Sequence, residues 1–119
     1  MEPIFTASNV ISSAQKEGDA LILSIRGEID LHNSPELRTE ILNLLRRQKP
    51  RRLILDLTLV PYMDSSALAV FVESLKEVLK TGGKVLLTGL QPRVRGLLEI
   101  ARLASIFVIC KDMNEALAK

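Results

Sequence analysis

Short apolar segments alternate with helical patterns along this chain, and this alternation restricts the fold more than any other feature. Residues 53–57 form a nearly continuous apolar run, which is typical of a strand that is covered on both faces. Residues 84–88 and 106–110 have the same character. Between them, apolar side chains recur at helical spacing, as in residues 34–48. The order of these patterns predicts an α/β fold with parallel strands and right-handed crossovers.

The N-terminal part of the chain adds an antiparallel feature. Residues 9–15 have a weak strand pattern, residues 17–19 contain the turn signal Glu-Gly-Asp, and residues 20–26 form a clearer strand. These two strands are expected to pair as a hairpin. The whole chain, 1–119, therefore predicts a single domain with a mixed, mostly parallel sheet of about four or five strands.

About four helices should flank this sheet, and most of them have recognisable boundaries. Ser34 is the predicted N-cap of the first helix, and Pro50 stops it. The second helix is expected over about 66–81. Pro92 begins the third helix, and Asp112 starts a capping box for a short fourth one.

The composition determines what the core is made of. Hydrophobic residues make up 47% of the chain but aromatic residues only 3%, so the core must be built from Leu, Ile, Val and Ala. Leu55, Leu57, Leu86 and Val108 lie in the most apolar strand patterns, and we predict that all four are buried.

Catalytic and metal-binding chemistry find little support in the sequence. His32 is the only histidine and has no cysteine near it, so neither a metal site nor a cofactor is expected. Ser65 has no plausible general base beside it, and no catalytic residue is assigned. Cys110 is the only cysteine, which excludes an internal disulfide. Because no catalytic motif is found, the chain is not expected to be an enzyme. The start has no signal-peptide pattern, so a cytoplasmic location is expected.

One segment is strongly basic. Residues 46–52 contain five Lys or Arg residues in seven positions, which could meet nucleic acid or anionic lipid. Cations also favour a helix C-terminus without any partner. The net charge of only +2 does not require a polyanion, so direct nucleic-acid binding is not expected, and no segment is long enough to insert in a membrane.

Asp64 and Ser65 lie where an apolar strand leads into a helix. Either residue would serve as an N-cap, and capping alone explains them at this stage. The same position also has unpaired N–H groups and a partial positive charge, which would tolerate a phosphate group.

Three sequence blocks taken together resemble the STAS domains, and among them the bacterial anti-sigma factor antagonists. The first block is a Gly-Glu-Ile-Asp motif followed by a helix. The second is an apolar strand leading to Met-Asp-Ser-Ser, and the third is Gly-Gly-Lys followed by a strand and a helix. They occupy residues 27–30, 53–66 and 82–87, and the resemblance extends from about 9 to 118.

The resemblance implies a binding protein that is switched by phosphorylation. Such proteins bind a serine kinase of the GHKL type that is also an anti-sigma factor, and so release a sigma factor. Ser65 would accept the phosphate, which disables binding until a serine phosphatase removes it. The expected partner-binding residues are Asp30, Asp64, Ser65, Ser66 and Leu68.

The chain departs from the family pattern at two positions. Ala67 and Ala69 stand where the family usually has glycine, and each methyl group could fill space that a partner backbone needs. This departure keeps an alternative open, in which the chain is a STAS subunit that docks on the ATPase of a lipid-transporting ABC complex. A small nucleotide- or lipid-binding protein lacks any phosphate motif and ranks last.

Overall fold

The computed structural model describes residues 2–4 and 8–119 as a mixed sheet packed against helices. Its strands are β1 (Glu2–Ile4), β2 (Ile11–Glu17), β3 (Ala20–Arg26), β4 (Arg52–Leu59), β5 (Lys84–Thr88) and β6 (Val108–Cys110). Its helices are α1 (Ser34–Gln48), α2 (Ser65–Leu79), α3 (Pro92–Ile100) and α4 (Met113–Ala118). The α/β class and the order of the elements confirm the prediction.

The strands lie side by side in sequence order, β1 to β6. The first two pairings are antiparallel, and β3, β4, β5 and β6 pair in parallel. The predicted hairpin is therefore β2–β3. The six described strands exceed the four or five expected, because β1 is only three residues long and contains Pro3, which an edge strand tolerates.

The core is divided between the two faces of the sheet. On one face, alternate residues of β4 such as Leu53, Leu55 and Leu57 pack with the buried sides of α1, α2 and α3. On the other face, Ile54 and Leu86 pack with α4 and Cys110. This two-sided burial explains why the strand sequences are almost continuously apolar. Burial also raises the pKa of the Cys110 thiol, so the residue behaves as a small apolar side chain.

Helices α1 and α2, which pack on the same face of the sheet, are also linked at the surface. Arg38 of α1 donates two hydrogen bonds to the carboxylate of Glu73 on α2, at 2.8 and 2.6 Å. This pairing lowers the pKa of Glu73 and raises that of Arg38. No helix in the described part of the chain has the length and apolar composition needed to cross a bilayer.

Several predicted boundaries were wrong. Asn33, not Ser34, is the N-cap of α1, and Ser34 is a buried residue of the first turn. Helix α2 begins one residue earlier than expected because Asp64 caps it, and it ends at Leu79. Strand β6 begins at Val108 and not at residue 106, because Ile106 instead closes a turn on Leu103.

The prediction of buried core residues was confirmed for Leu55, Leu57 and Leu86, which have no exposed surface, but not for Val108. Val108 is half-buried because β6 is a short edge strand, and the residue packs only against the small layer that contains α4. Burial in a parallel sheet therefore follows the position of the strand in the sheet more closely than its hydropathy.

Leu55→Ala and Val108→Ala form a matched pair that tests this difference. Leu55→Ala should lower the free energy of unfolding by about 2–5 kcal/mol, because it leaves a cavity between β4 and the helices. Val108→Ala should cost only about 1 kcal/mol, because part of its side chain is already in water. Urea denaturation of both variants measures the difference, and equal losses would contradict it.

Candidate functional site

Two loops meet at the edge of the sheet where the parallel strands end, which we call the carboxyl edge. Ile29 follows β3, Met63 follows β4, and the two form an isolated parallel bridge. The N–H of Ile29 donates to the carbonyl of Tyr62 at 3.2 Å, and the N–H of Asp64 donates to the carbonyl of Ile29 at 3.0 Å. Both bridge residues are buried. The bridge therefore fixes the backbone of Asp64 directly against the residue before Asp30.

Asp64 caps helix α2. Its Oδ1 accepts a hydrogen bond from the N–H of Ser66 at 2.9 Å and a short one from the Ser66 hydroxyl. The bond from the Ser66 hydroxyl is the main cause that lowers the pKa of Asp64, and the N–H groups of Ser66, Ala67 and Leu31 contribute further. Partial burial opposes this shift. Asp64 is therefore a carboxylate at neutral pH and holds the first turn of α2 in place.

Ser65 and Ser66 are adjacent but lie in different environments. Ser65 is the first residue of α2 and is exposed, and its hydroxyl makes no hydrogen bond to any described residue. Ser66 is half-buried, and its hydroxyl donates to Asp64. Of the two hydroxyls, only that of Ser65 is free to meet another molecule.

Asp30 is held by its own loop. Its N–H donates to Oδ1 of Asn33 at 2.8 Å, and its Oδ1 accepts from the N–H of His32 at 2.9 Å. Its side chain is still 43% exposed, whereas that of His32 is 96% exposed and stands 3.7 Å away. Asn33 uses its side chain to brace Asp30, which explains why it caps α1 without a side-chain bond of its own.

An apolar groove of about 690 Å³ lies beside Ser65. Leu68, Ala69 and Val72 of α2 line it together with Ala101 and Leu103, which follow α3. Leu68 is only 4% exposed, so a partner could touch it only as part of the groove surface. The groove extends the exposed surface from the hydroxyl of Ser65 along helix α2.

The two alanines at the usual glycine positions differ in their exposure. Ala67 is completely buried, so its methyl group packs inside the domain and does not face a partner. The expectation that it takes up partner space was wrong, because the first turn of α2 directs this residue into the core. Ala69 is exposed and lines the groove, so only its methyl group could alter a contact.

Sequence reasoning missed several residues at this edge. Leu31 is 75% exposed in the loop after Asp30, and Leu59 is also exposed at the end of β4. The guanidinium of Arg93 lies 4.5 Å from the centroid of the Tyr62 ring, a cation–π contact. The sequence did contain one signal for this surface, because Leu31 is an isolated apolar residue in a polar turn.

A further structural residue of the carboxyl edge is Gly89. Its φ is +72°, and a Cβ built there would lie 2.2 Å from Oγ1 of Thr58 and 2.9 Å from Oδ1 of Asp56. Asp56 in turn accepts hydrogen bonds from the N–H and the hydroxyl of Thr58, at 3.0 and 2.6 Å. Gly89 therefore lets the loop after β5 approach the end of β4.

The site thus offers a free hydroxyl at a helix N-terminus, two nearby carboxylates and an apolar groove. Among residues 2–4 and 8–119, no three or more His, Cys, Asp or Glu side chains are placed to hold a metal ion. The groups that are present suit recognition of another molecule and acceptance of a phosphate group.

Comparison with known proteins identifies the family. The STAS domain model matches residues 12–116, so the chain belongs to the STAS domain family. The anti-sigma-B factor antagonist of Bacillus subtilis is 38% identical over 95 residues, which cover 80% of this chain and 84% of that protein. The protein of the same name from Listeria monocytogenes is 33% identical over 99 residues, which cover 83% and 86% of the two chains.

Solved structures agree with this fold. An anti-sigma factor antagonist from Mycobacterium paratuberculosis superimposes with a TM-score of 0.82 at 22% identity, covering 96% of this chain and 97% of that one. The Bacillus cell fate determinant SpoIIAA in its phosphorylated form gives a TM-score of 0.65 at 19% identity, covering 88% and 96%. At these identities the likeness shows that the fold is shared.

Asp64→Ala should lower the free energy of unfolding by about 1 kcal/mol, because α2 loses its cap. Asp64→Asn should be milder at neutral pH, because its amide oxygen still accepts from the N–H of Ser66. The pKa of Asp64 is lowered in the folded state, so the advantage of the carboxylate is complete above its ordinary value of 3.8. It should disappear as the pH falls through the lower, folded-state pKa. Urea unfolding of the wild type and both variants at several pH values tests this. A difference in the free energy of unfolding between the wild type and Asp64→Asn that persists at the lowest pH would contradict it.

Gly89→Ala should destabilise the protein by about 1–3 kcal/mol, because it combines a positive φ with a clash against Thr58. Gly96→Ala is the control, because a Cβ there meets nothing within 4 Å and α3 would gain a better helix former. Thermal unfolding should therefore move in opposite directions for the two variants. A stable Gly89→Ala protein would show that the loop after β5 can move away from β4.

Proposed function

We propose that this STAS protein is an anti-sigma factor antagonist that binds an anti-sigma factor and thereby releases a sigma factor. The anti-sigma factor would also be a serine kinase of the GHKL type, and phosphorylation of Ser65 would end the binding. A serine phosphatase would restore it. The role is regulatory, and the proposal includes a cytoplasmic location and a single STAS domain over residues 1–119.

The difference between the two serines carries the proposal. A kinase needs a hydroxyl that reaches into its active site, and the hydroxyl of Ser65 is exposed and unbonded. The hydroxyl of Ser66 is half-buried and bonded to Asp64, so its phosphorylation would first require α2 to lose part of its cap. This asymmetry supports Ser65 as the acceptor independently of any resemblance.

The relatives support the binding role. Two proteins more than 30% identical to this chain are named anti-sigma-B factor antagonists, and one with the same fold is known in a phosphorylated form. The proposed contact surface consists of the residues expected from the sequence together with Ala69, which lines the groove beside them. Its members are Asp30, Asp64, Ser65, Ser66, Leu68 and Ala69.

The switch follows from charge. Phosphate at Ser65 would add about −1.5 to −2 charges close to the carboxylate of Asp64. Within the domain, the free N-terminal end of α2 partly compensates for this charge. A partner that already faces Asp30 and Asp64 would meet a third anionic group at the centre of the contact. Like-charge juxtaposition at an interface costs several kcal/mol, so binding would be lost without any refolding.

Ser65→Ala and Ser66→Ala separate the two roles. Ser65→Ala should bind the cognate anti-sigma factor within about threefold of the wild type but take up no phosphate, because only the acceptor is removed. Ser66→Ala should still be phosphorylated, although its free energy of unfolding should fall by about 1 kcal/mol. Intact-mass analysis after incubation with the kinase and ATP, together with calorimetric titration, measures both properties.

The opposite result would be informative. If the Ser65→Ala variant is still phosphorylated, Ser65 is not the acceptor. If no kinase encoded beside this protein modifies the wild type, the apolar groove and the exposed methyl group of Ala69 favour the second candidate, a constitutive subunit on the ATPase of a lipid-transporting ABC complex. Co-purification with such an ATPase, abolished by Ala69→Glu but not by Ser65→Ala, would establish that alternative.

A further inference from the structure

The end of the molecule opposite the carboxyl edge is strongly basic. The parallel strands begin there, and α1, α2 and α4 end there. Of the 16 Lys and Arg residues in the chain, eight lie on these element ends. We call this surface the basic pole, and its members are Arg46, Arg47, Lys49, Arg51, Arg52, Lys80, Lys84 and Lys119.

Most of these side chains are outside any ion pair in the described part of the chain, although the charge of Arg51 still helps to lower the pKa of Asp19 and that of Arg46 helps to lower the pKa of Glu73. Three of the eight pair with carboxylates: Arg52 with Asp19 at 2.8 Å, Lys80 with Glu77 at 3.1 Å, and Lys119 with Glu115 at 3.8 Å. The remaining five make no ion pair with any described residue. They are Arg46, Arg47, Lys49, Arg51 and Lys84.

The helix dipole explains the presence of only some of the cations at the basic pole. Arg46 and Arg47 lie in the last turn of α1, where a cation is favoured. Arg51 and Lys84 lie at the starts of strands, where no helix end requires them. Together with Arg52, they line a polar cleft of about 540 Å³. Cations from the end of α1 and from the starts of β4 and β5 therefore share one end of the molecule.

The basic pole also contains apolar surface. The nearly buried residues Leu45, Pro50 and Val78 form the apolar part of a cavity of about 230 Å³, which is also lined by Arg46, Lys49, Glu77, Lys80 and Thr81. Leu79, the last residue of α2, is 56% exposed at the same end. The described aromatic residues Tyr62, Phe71 and Phe107 lie elsewhere, at the carboxyl edge or in the core.

We propose that the basic pole docks on the surface of an anionic phospholipid bilayer. Lys and Arg side chains attract anionic headgroups, and their aliphatic stems together with Leu79 can rest at the boundary of the acyl chains. Nucleic acid fits less well, because proteins that bind single strands without sequence preference use aromatic side chains for stacking, and this surface has none among the described residues. The docking is peripheral and involves no inserted helix.

This docking leaves the proposed regulatory surface accessible. The carboxyl edge with Ser65 lies at the other end of the parallel strands, so it would face away from the bilayer. The inference does not depend on the proposed function, because the docked protein could bind any partner at its carboxyl edge.

Co-sedimentation with lipid vesicles tests the proposal. The wild type should bind vesicles of phosphatidylcholine mixed with phosphatidylglycerol, should not bind phosphatidylcholine alone, and should dissociate as salt is added. Arg47→Gln/Lys84→Gln should weaken binding by roughly 10- to 30-fold. Arg95→Gln/Lys111→Gln removes the same charge from exposed positions outside the pole and should change binding less than about threefold.

Exposed leucines at the two ends provide a second comparison. Leu79→Ser should weaken vesicle binding by about threefold to tenfold, whereas Leu31→Ser at the carboxyl edge should not. Circular dichroism confirms that each variant is folded. Equal losses for the two charge pairs or for the two leucines would overturn the proposal. So would an absence of vesicle binding, or tighter binding of a random single-stranded RNA at the same ionic strength.

Discussion

The parallel pairing of β3 with β4 is the interaction on which the rest of this structure depends. The pairing is irregular between Ser24 and Arg26, and beyond the strands the two segments meet again at the bridge between Ile29 and Met63. The bridge is buried, so water cannot compete for its hydrogen bonds, and the two following loops begin from a fixed backbone. Asp30 and Asp64 are each the next residue after this bridge. The relative position of the two loops therefore depends on this bridge.

The capping of α2 by Asp64 stabilises the helix and also places the two neighbouring serines in different environments. Asp64 stabilises the helix only while its carboxylate faces Ser66, and that contact occupies the Ser66 hydroxyl. The neighbouring Ser65 is left exposed at the first helical position, where a side chain points away from the turn. The selectivity that we propose for one of two adjacent serines would thus follow from an ordinary N-cap. No additional device is needed to distinguish them.

The sequence predicted the elements well where their pattern was long and strongly apolar, as for β4, β5 and α2. It failed where tertiary context decides. Strand β1 has three residues and gains its identity only from pairing with β2. Asn33 replaced Ser34 as the cap of α1 because its side chain braces the Asp30 loop, a contact that no local pattern contains. Ala67 and Ala69 look equivalent in the sequence, but the helix turns one inward and the other outward.

The same topology separates charge along the molecule. In a parallel sheet, every crossover helix ends where the next strand begins, so helix C-termini and strand starts share one end. Cations favoured by the helix ends therefore accumulate beside those at the strand starts, while the carboxylates of Asp30 and Asp64 lie at the other end. The chain has a net charge of only +2, yet eight of its 16 Lys and Arg residues lie at one end. A phosphate group on Ser65 would add negative charge at the carboxyl edge and leave the charge of the basic pole unchanged. The electrostatic contact that we propose at one end and the phosphorylation-controlled contact that we propose at the other would therefore operate independently.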